Sequence, residues 1–175
     1  NLLNYIEPPY ACYDFDRIYS QTQWHKKQQW LTTYLSQYQP DIIGFQEVFS
    51  PDSLAALLAQ AGYPYFAVVD APKLMDSDTE VSHDYIYQSP VVAIASRYPI
   101  IECTGVAANS AMATNIGLTG DYSFSRLPLR ATIDLPHLGH TDCYVVHFKS
   151  KRPLLMQDDP DLNTTKAVLE QFKRQ

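Results

Sequence analysis

The stretch Asp41-Ile42-Ile43-Gly44-Phe45-Gln46-Glu47-Val48 constrains this chain more than any other. Ile42, Ile43, Phe45 and Val48 are large and apolar, Pro40 precedes the run, and Ser50-Pro51 closes it. That pattern predicts a short strand buried on both faces. Glu47 stands at its C-terminal end, where side chains leave a core for a cleft. A carboxylate taken out of water needs a metal, a cation or a set of hydrogen-bond donors. Two readings follow: an ordinary strand-end carboxylate, solvated or paired to a lysine, and a ligand for a hard cation. Mg²⁺ takes carboxylate oxygens and needs only one or two from the protein.

The 175 residues allow one sizeable core and not two comfortable ones. With 46% apolar and 18% charged residues and no long block of like charge, the composition is that of a soluble globular chain. No apolar run approaches the length of a membrane span. There is no initiator Met and no signal-like start, so a partial chain is expected and missing targeting signals carry little weight. Cys12, Cys103 and Cys143 form an odd, widely spaced set without a C-x-x-C pair. They suit a reducing compartment, which favours the cytoplasm, better than a disulfide framework. The net charge of −6, from 13 basic and 19 acidic residues, lacks the electrostatic footprint of a general duplex binder.

Several segments flank the central strand. Asn1 to Tyr5 reads as a strand end and residues 10 to 19 as a loop. Ser20 with Gln23 forms a capping box opening an amphipathic helix, its inward face Trp24, Leu31, Leu35 and Tyr38, stopped by Pro40. Ser50 is expected to cap a second helix, with Pro51 at its first position, a stripe of Leu54, Leu57 and Leu58, and Gly62 at its end. Strands are expected at Tyr65–Val69, Pro90–Ser96, Leu129–Leu135 and Asp142–Phe148. Residues 70 to 89, with Asp76, Asp78, Glu80 and His83, read as a long polar loop, and residues 108 to 121 as another. A last helix is expected over Thr164 to Arg174, with Asn163 as its cap. The order implies an α+β fold, a mixed or antiparallel sheet with helices on one face.

Beyond Glu47, His147 leaves an apolar run into Lys149, Lys151 and Arg152. That placement suits either a satisfied core histidine or a group gripping an anionic phosphate. His137 and His140 fall in a turn and read as an exposed hairpin tip. Asp158, Asp159 and Asp161 read as a solvated loop. The 13 tyrosines read as packing and loop anchoring, since the tyrosine-rich stretches are acidic, unlike the cationic grooves of base-stacking platforms. No phosphate-binding P-loop, dinucleotide fingerprint or nucleophile elbow is present, which argues against triphosphate hydrolysis, dinucleotide chemistry and acyl transfer on an α/β-hydrolase scaffold.

Three segments taken in order, Asn1-Leu2-Leu3-Asn4-Tyr5, Pro40 to Val48 and Tyr144 to Ser150, resemble the endonuclease/exonuclease/phosphatase superfamily. Asn1 matches an Asn that ends the first strand, Gln46-Glu47 the Gln-Glu ending of the second, and His147 a strand-end His. Val92 to Ile100 resembles the strand-to-turn segment between them. The resemblance implies a four-layer αββα β-sandwich with the site at the top of two sheets. It implies that Glu47, with Asn1, binds Mg²⁺ or Mn²⁺, that Asn1 positions metal or phosphate, and that His147 contacts the scissile phosphate. Arg126 is a further candidate for a phosphate contact, or else a sheet-edge salt bridge. The superfamily's later Asp-His motif is absent from these residues, and the Asp-x-Asn string that follows His147, Asp161-Leu162-Asn163, falls in the stretch read as a solvated loop and helix cap. Residues 1–175 are thus expected to be the N-terminal half of one such domain, an incomplete half lacking the partner sheet. The C-terminal half would be its partner, and the fragment alone should be inactive and bind Mg²⁺ weakly. The function implied is a divalent-metal-dependent phosphoesterase whose substrate is a small molecule, a lipid headgroup or a nucleic acid; the charge leans away from a general duplex nuclease. The alternative is a non-catalytic binding or assembly module that retains the fold.

Overall fold

The structure, a computed structural model, describes residues 1–13, 19–74, 86–115 and 123–148. Several predicted features lie outside those residues: the acidic stretch with Asp76, Asp78, Glu80 and His83, the cations Lys149, Lys151 and Arg152, the three aspartates Asp158, Asp159 and Asp161, and the last helix with its cap. The elements in chain order are β1 (Ala11–Cys12), α1 (Gln21–Tyr38), β2 (Ile42–Val48), α2 (Pro51–Gln60), β3 (Tyr65–Val68), β4 (Lys73–Leu74), β5 (Ile86–Ser89), β6 (Val91–Ser96), β7 (Ile100–Gly105), α3 (Ser110–Asn115), β8 (Leu129–Leu135) and β9 (Gly139–Val145). Among the described residues no helix is long and apolar enough to cross a membrane. The chain divides into two compact units, Asn1–Ala107 with Arg126–Val146, and Ala108–Ser125 with His147–Gln175. In its described part the second unit holds α3, where the sequence suggested only loop.

The first unit is layered around β6. Antiparallel pairing gives the order β2-β6-β3, and alternation along β6 sends its side chains to opposite faces. Val91, Ala93 and Ala95 join Trp24, Leu31 and Leu35 of α1 and Leu54 and Leu58 of α2 in one core. Val92 and Ile94 join Leu129, Ala131, Ile133 and Val145 of a second antiparallel sheet, β7-β8-β9, in another. Helices, sheet and sheet are three successive layers of an αββα sandwich, with both long helices on one face as expected. The second sheet corrects one expectation. The partner sheet is not missing from this chain, which contributes three strands of it, and these cover the apolar face of β6 that would otherwise meet water.

Local chemistry explains most element boundaries. Ser20 Oγ accepts from the Gln23 N–H at 3.3 Å and Gln23 Oε1 from the Ser20 N–H at 2.9 Å, completing the capping box of α1. The buried Trp24, Leu31 and Leu35 each contribute about 1.5–3 kcal/mol by leaving water. Tyr38 does not extend this stripe and is 61% exposed. It stands four residues after Tyr34 and eight after Trp30, and the three rings stack along the outer face, with centroids 5.6 Å apart for Trp30–Tyr34 and 4.6 Å for Tyr34–Tyr38. Pro51 opens α2 as predicted, yet Ser50 makes no side-chain cap; its hydroxyl accepts the Glu7 N–H at 2.8 Å instead.

Other departures follow from pairing that short-range pattern does not reveal. Residues read as loops supply a small sheet of order β1-β5-β4, with β1 and β5 parallel. The strand β7 runs on to Gly105 because it pairs with β8. The strand β9 begins at Gly139, three residues earlier than predicted. Pro136, His137 and Leu138 make a three-residue hairpin connection, with left-handed backbone at His137 (φ 70°) and Gly139 (φ 69°), and pairing resumes at once with Leu135 opposite Gly139. His137 and His140 are exposed, as a hairpin tip should be.

Candidate active site

The end of β2 departs from a regular strand. Phe45 pairs with Ala93 and Val48 with Val91, so Gln46 and Glu47 together oppose the single residue Val92. This is a β-bulge, a device that bends a strand and re-aims a side chain. Glu47 adopts φ 62°, a left-handed backbone that non-glycine residues rarely take and that costs on the order of 1–3 kcal/mol. The expectation of a strand buried on both faces is only partly met. Phe45 and Val48 are buried, whereas Ile42, Ile43, Gln46 and Glu47 are half-buried and Gly44 is exposed, because β2 lies at the edge of its three-stranded sheet.

Residues 1–5 run beside the bulge. The Leu2 N–H donates to the Gln46 carbonyl at 3.1 Å and the Tyr5 N–H to the Glu47 carbonyl at 2.8 Å. Only a single parallel bridge, Tyr5 to Val48, resembles strand pairing. Leu3 and Asn4 are both left-handed (φ 50° and 59°), which breaks the strand expected over Asn1–Tyr5 and turns the segment around the Glu47 carboxylate. Asn1 Nδ2 donates to Glu47 Oε1 at 2.9 Å, and the Asn4 N–H donates to Glu47 Oε2 at 3.0 Å. Asn1 Oδ1 in turn accepts the Leu3 N–H at 2.8 Å, which fixes the orientation of the amide. Asn1 and Glu47 are thus brought together, with the amide NH₂, not its oxygen, facing the carboxylate.

Three residues to which the sequence assigned no role of their own, Gln46, Gly44 and Lys27, shape the same neighbourhood. Gln46 Nε2 donates to the Val146 carbonyl at 2.7 Å, tying the bulge to the end of β9. One residue earlier, Gly44 lets the second sheet come close, since a Cβ there would stand 3.1 Å from Val145 Cγ2. Lys27 of α1 donates to the Leu3 carbonyl at 2.8 Å and to the Tyr19 hydroxyl at 2.9 Å, so an ammonium group braces the segment that carries Asn1. The contact to Leu3 spans 24 residues of sequence, and helical periodicity marks Lys27 only as polar.

Arg126 lies in the bend before β8. It is half-buried, and its Nε is shielded from solvent without a hydrogen-bond partner among the described residues. His147 follows the end of β9 by two residues, so it is outside the strand in which it was expected. It is half-buried and belongs to the second compact unit. The charge network of the second sheet is a separate feature. Arg130 Nε lies 3.1 Å from Asp142 Oδ2 and Thr132 Oγ1 2.6 Å from Asp142 Oδ1, and the Thr132 hydroxyl, then Arg130, hold the Asp142 carboxyl below the usual range. These groups satisfy one another on an exposed face, where ion pairs contribute little.

The donor set fits a hard divalent cation. The carboxylate accepts an N–H on each oxygen, which fixes its orientation, and carboxylate oxygen is the donor type that hard cations take. Mg²⁺ or Mn²⁺ accepts such an oxygen while retaining several waters. No group of three His, Cys, Asp or Glu side chains suited to a metal is present among the described residues, so Glu47 would be the single acidic ligand from them.

The description Endonuclease/Exonuclease/phosphatase family matches residues 18–146, about three quarters of the chain. The chain belongs to this family. Its members are hydrolases acting on phosphoester bonds, and the family is generally divalent-metal dependent. Among solved structures, the chain is similar to an endonuclease/exonuclease/phosphatase from Beutenbergia cavernae DSM 12333, with 19% identity, a TM-score of 0.48 and coverage of 85% of this chain. The chain spans 36% of that protein's length. No curated protein sequence matches.

Proposed function

We propose that the protein containing this chain hydrolyses a phosphodiester or phosphomonoester with the help of Mg²⁺ or Mn²⁺ held at Glu47. The observation that carries the reading is the bulge, where a strained backbone turns one carboxylate out of β2 and the Asn1 amide and Asn4 N–H fix both its oxygens. When bound, the cation supplies Lewis acidity toward a phosphoryl oxygen. In this role Glu47 binds and Asn1 positions Glu47. Arg126, whose buried Nε has no hydrogen-bond partner among the described residues, donates to phosphate oxygens, where preorganised donors stabilise developing charge. The resemblance supports His147 as a second contact to the scissile phosphate. The C-terminal part of the domain would supply the remaining oxygen ligands and the group that activates water. The odd number and wide spacing of Cys12, Cys103 and Cys143 support a reducing compartment such as the cytoplasm.

The test is Mg²⁺-dependent hydrolysis of bis(4-nitrophenyl) phosphate by the full-length protein. Glu47→Ala and chelation should each remove activity by more than the roughly 10–100-fold typical of losing an outer-shell group. Turnover that survives both overturns the proposal and favours a non-catalytic module.

A further inference from the structure

A cleft of about 230 Å³ opens beside Asn1, between residues 1–5 and α1. It is lined by the buried Tyr5 and Leu31, the exposed Leu3 and Trp30, and two polar groups, Asn1 and Lys27. We propose that this cleft holds a ring-sized apolar group of the phosphoester substrate while its phosphate faces Glu47. The proposal rests on the phosphoesterase reading and names the substrate class of that same site.

Four observations carry it. Asn1 is shared, lining the cleft while its amide donates to Glu47, so the cleft and the carboxylate are contiguous. Lys27 spends two of the three N–H bonds of its ammonium on the Leu3 carbonyl and the Tyr19 hydroxyl, which leaves one for an anion. Charge complementarity strengthens this, because α1 contains two lysines and no acidic residue in a chain of net charge −6. Trp30 is 60% exposed, and Tyr34 stacks on its indole at an interplanar angle of 27°, presenting a braced aromatic wall. Finally, the Tyr5 hydroxyl is buried without a hydrogen-bond partner among the described residues. Gln28 lies near it without meeting hydrogen-bond geometry.

Size decides the class. Pockets that hold whole drug-sized ligands start at about 300 Å³. This cleft is smaller, so it accommodates one ring or a short branched group and not a long acyl chain.

The experiment measures binding of methylphosphonate, phenylphosphonate and octylphosphonate to the full-length protein by calorimetry. None of these probes can be hydrolysed at its P–C bond, so the readout is independent of turnover. Phenylphosphonate should bind about ten-fold or more tighter than methylphosphonate, the gain expected for burying one aromatic ring. In Trp30→Ala that ratio should fall close to one, and in Trp30→Phe it should be largely restored. Leu3→Ser, at a residue 71% exposed, supplies a second variant with the same expected direction. Equal affinity for phenyl and methyl probes, or binding of neither, overturns the subsite. Tighter binding of the octyl probe overturns the ring-sized occupant in favour of a flexible chain. Failure of hydrolysis with the phenyl preference intact overturns the catalytic reading and not the cleft.

Discussion

Asn1 Nδ2 and Glu47 Oε1 lie 2.9 Å apart across 46 residues of sequence, and the same asparagine closes a local turn through Oδ1 to the Leu3 N–H. The amide N–H therefore orients the carboxylate, in keeping with the positioning role proposed for Asn1. Asn1→Ala should weaken Mg²⁺ binding by the full-length protein about 10–100-fold, as loss of outer-shell groups does elsewhere. Calorimetric titration with Mg²⁺ checks this, and unchanged affinity would separate Asn1 from the site.

Glu47 trades stability for position. A left-handed non-glycine residue costs about 1–2 kcal/mol, a cost that Ala also bears and Gly does not. Glu47→Gly should therefore unfold at higher denaturant than Glu47→Ala, by about 1 kcal/mol, while both lose the metal. Equal stability of the two variants would mean that the backbone at the bulge is not under strain.

Close approach of the two sheets depends on Gly44. A methyl group there would meet Val145 Cγ2 at 3.1 Å and Cγ1 at 3.3 Å. Gly44→Ala should cost about 1–3 kcal/mol of stability by overpacking. Val145→Ala removes the clash, so the double variant should be more stable than the sum of the singles predicts, with a coupling of about 0.5–3 kcal/mol. Additive losses in urea unfolding would show that the sheets are not in contact at this point.

The sequence carries the layers better than the site. Trp24, Leu31 and Leu35 mark the inner face of α1 by spacing alone, and alternation marks β8 over Leu129–Leu135 as observed. The bulge cannot be read this way, because an extra residue in β2 is visible only against the register of β6. Ser50 shows the same limit: next to Pro51 it reads as a cap, yet a long-range bond to Glu7 claims its hydroxyl. Glu47 stands out as a carboxylate closing an apolar strand, but its pairing with Asn1 is implied only by the order of motifs. Gln46 is marked only by its place in the Gln-Glu motif and Lys27 only as polar, and the role of neither is legible locally, since each acts on a backbone carbonyl distant in sequence.

Tyr5 gives a pH signature of the core beside the cleft. Its ring packs on Trp24 at 4.6 Å between centroids, and burial pushes the phenol up to about 12 from its ordinary 10.0, against an opposing pull from Gln28. The unfolded chain releases this proton near pH 10, whereas the folded one keeps it until about 12. Below pH 10 the two states bind the same number of protons here. Between 10 and 12 the unfolded state binds fewer, so stability falls as pH rises, by about 2–3 kcal/mol in total. Tyr5→Phe removes this titration and also a buried hydroxyl that has no hydrogen-bond partner among the described residues. The variant should be at least as stable as the parent near neutrality, because no hydrogen bond is lost, and its stability should decline less steeply from pH 10 to 12. Urea unfolding across that range checks both statements. A marked loss of stability at pH 7 would show that the hydroxyl has a partner, and parallel alkaline slopes would show that Tyr5 ionises as freely in the folded chain as in the unfolded one.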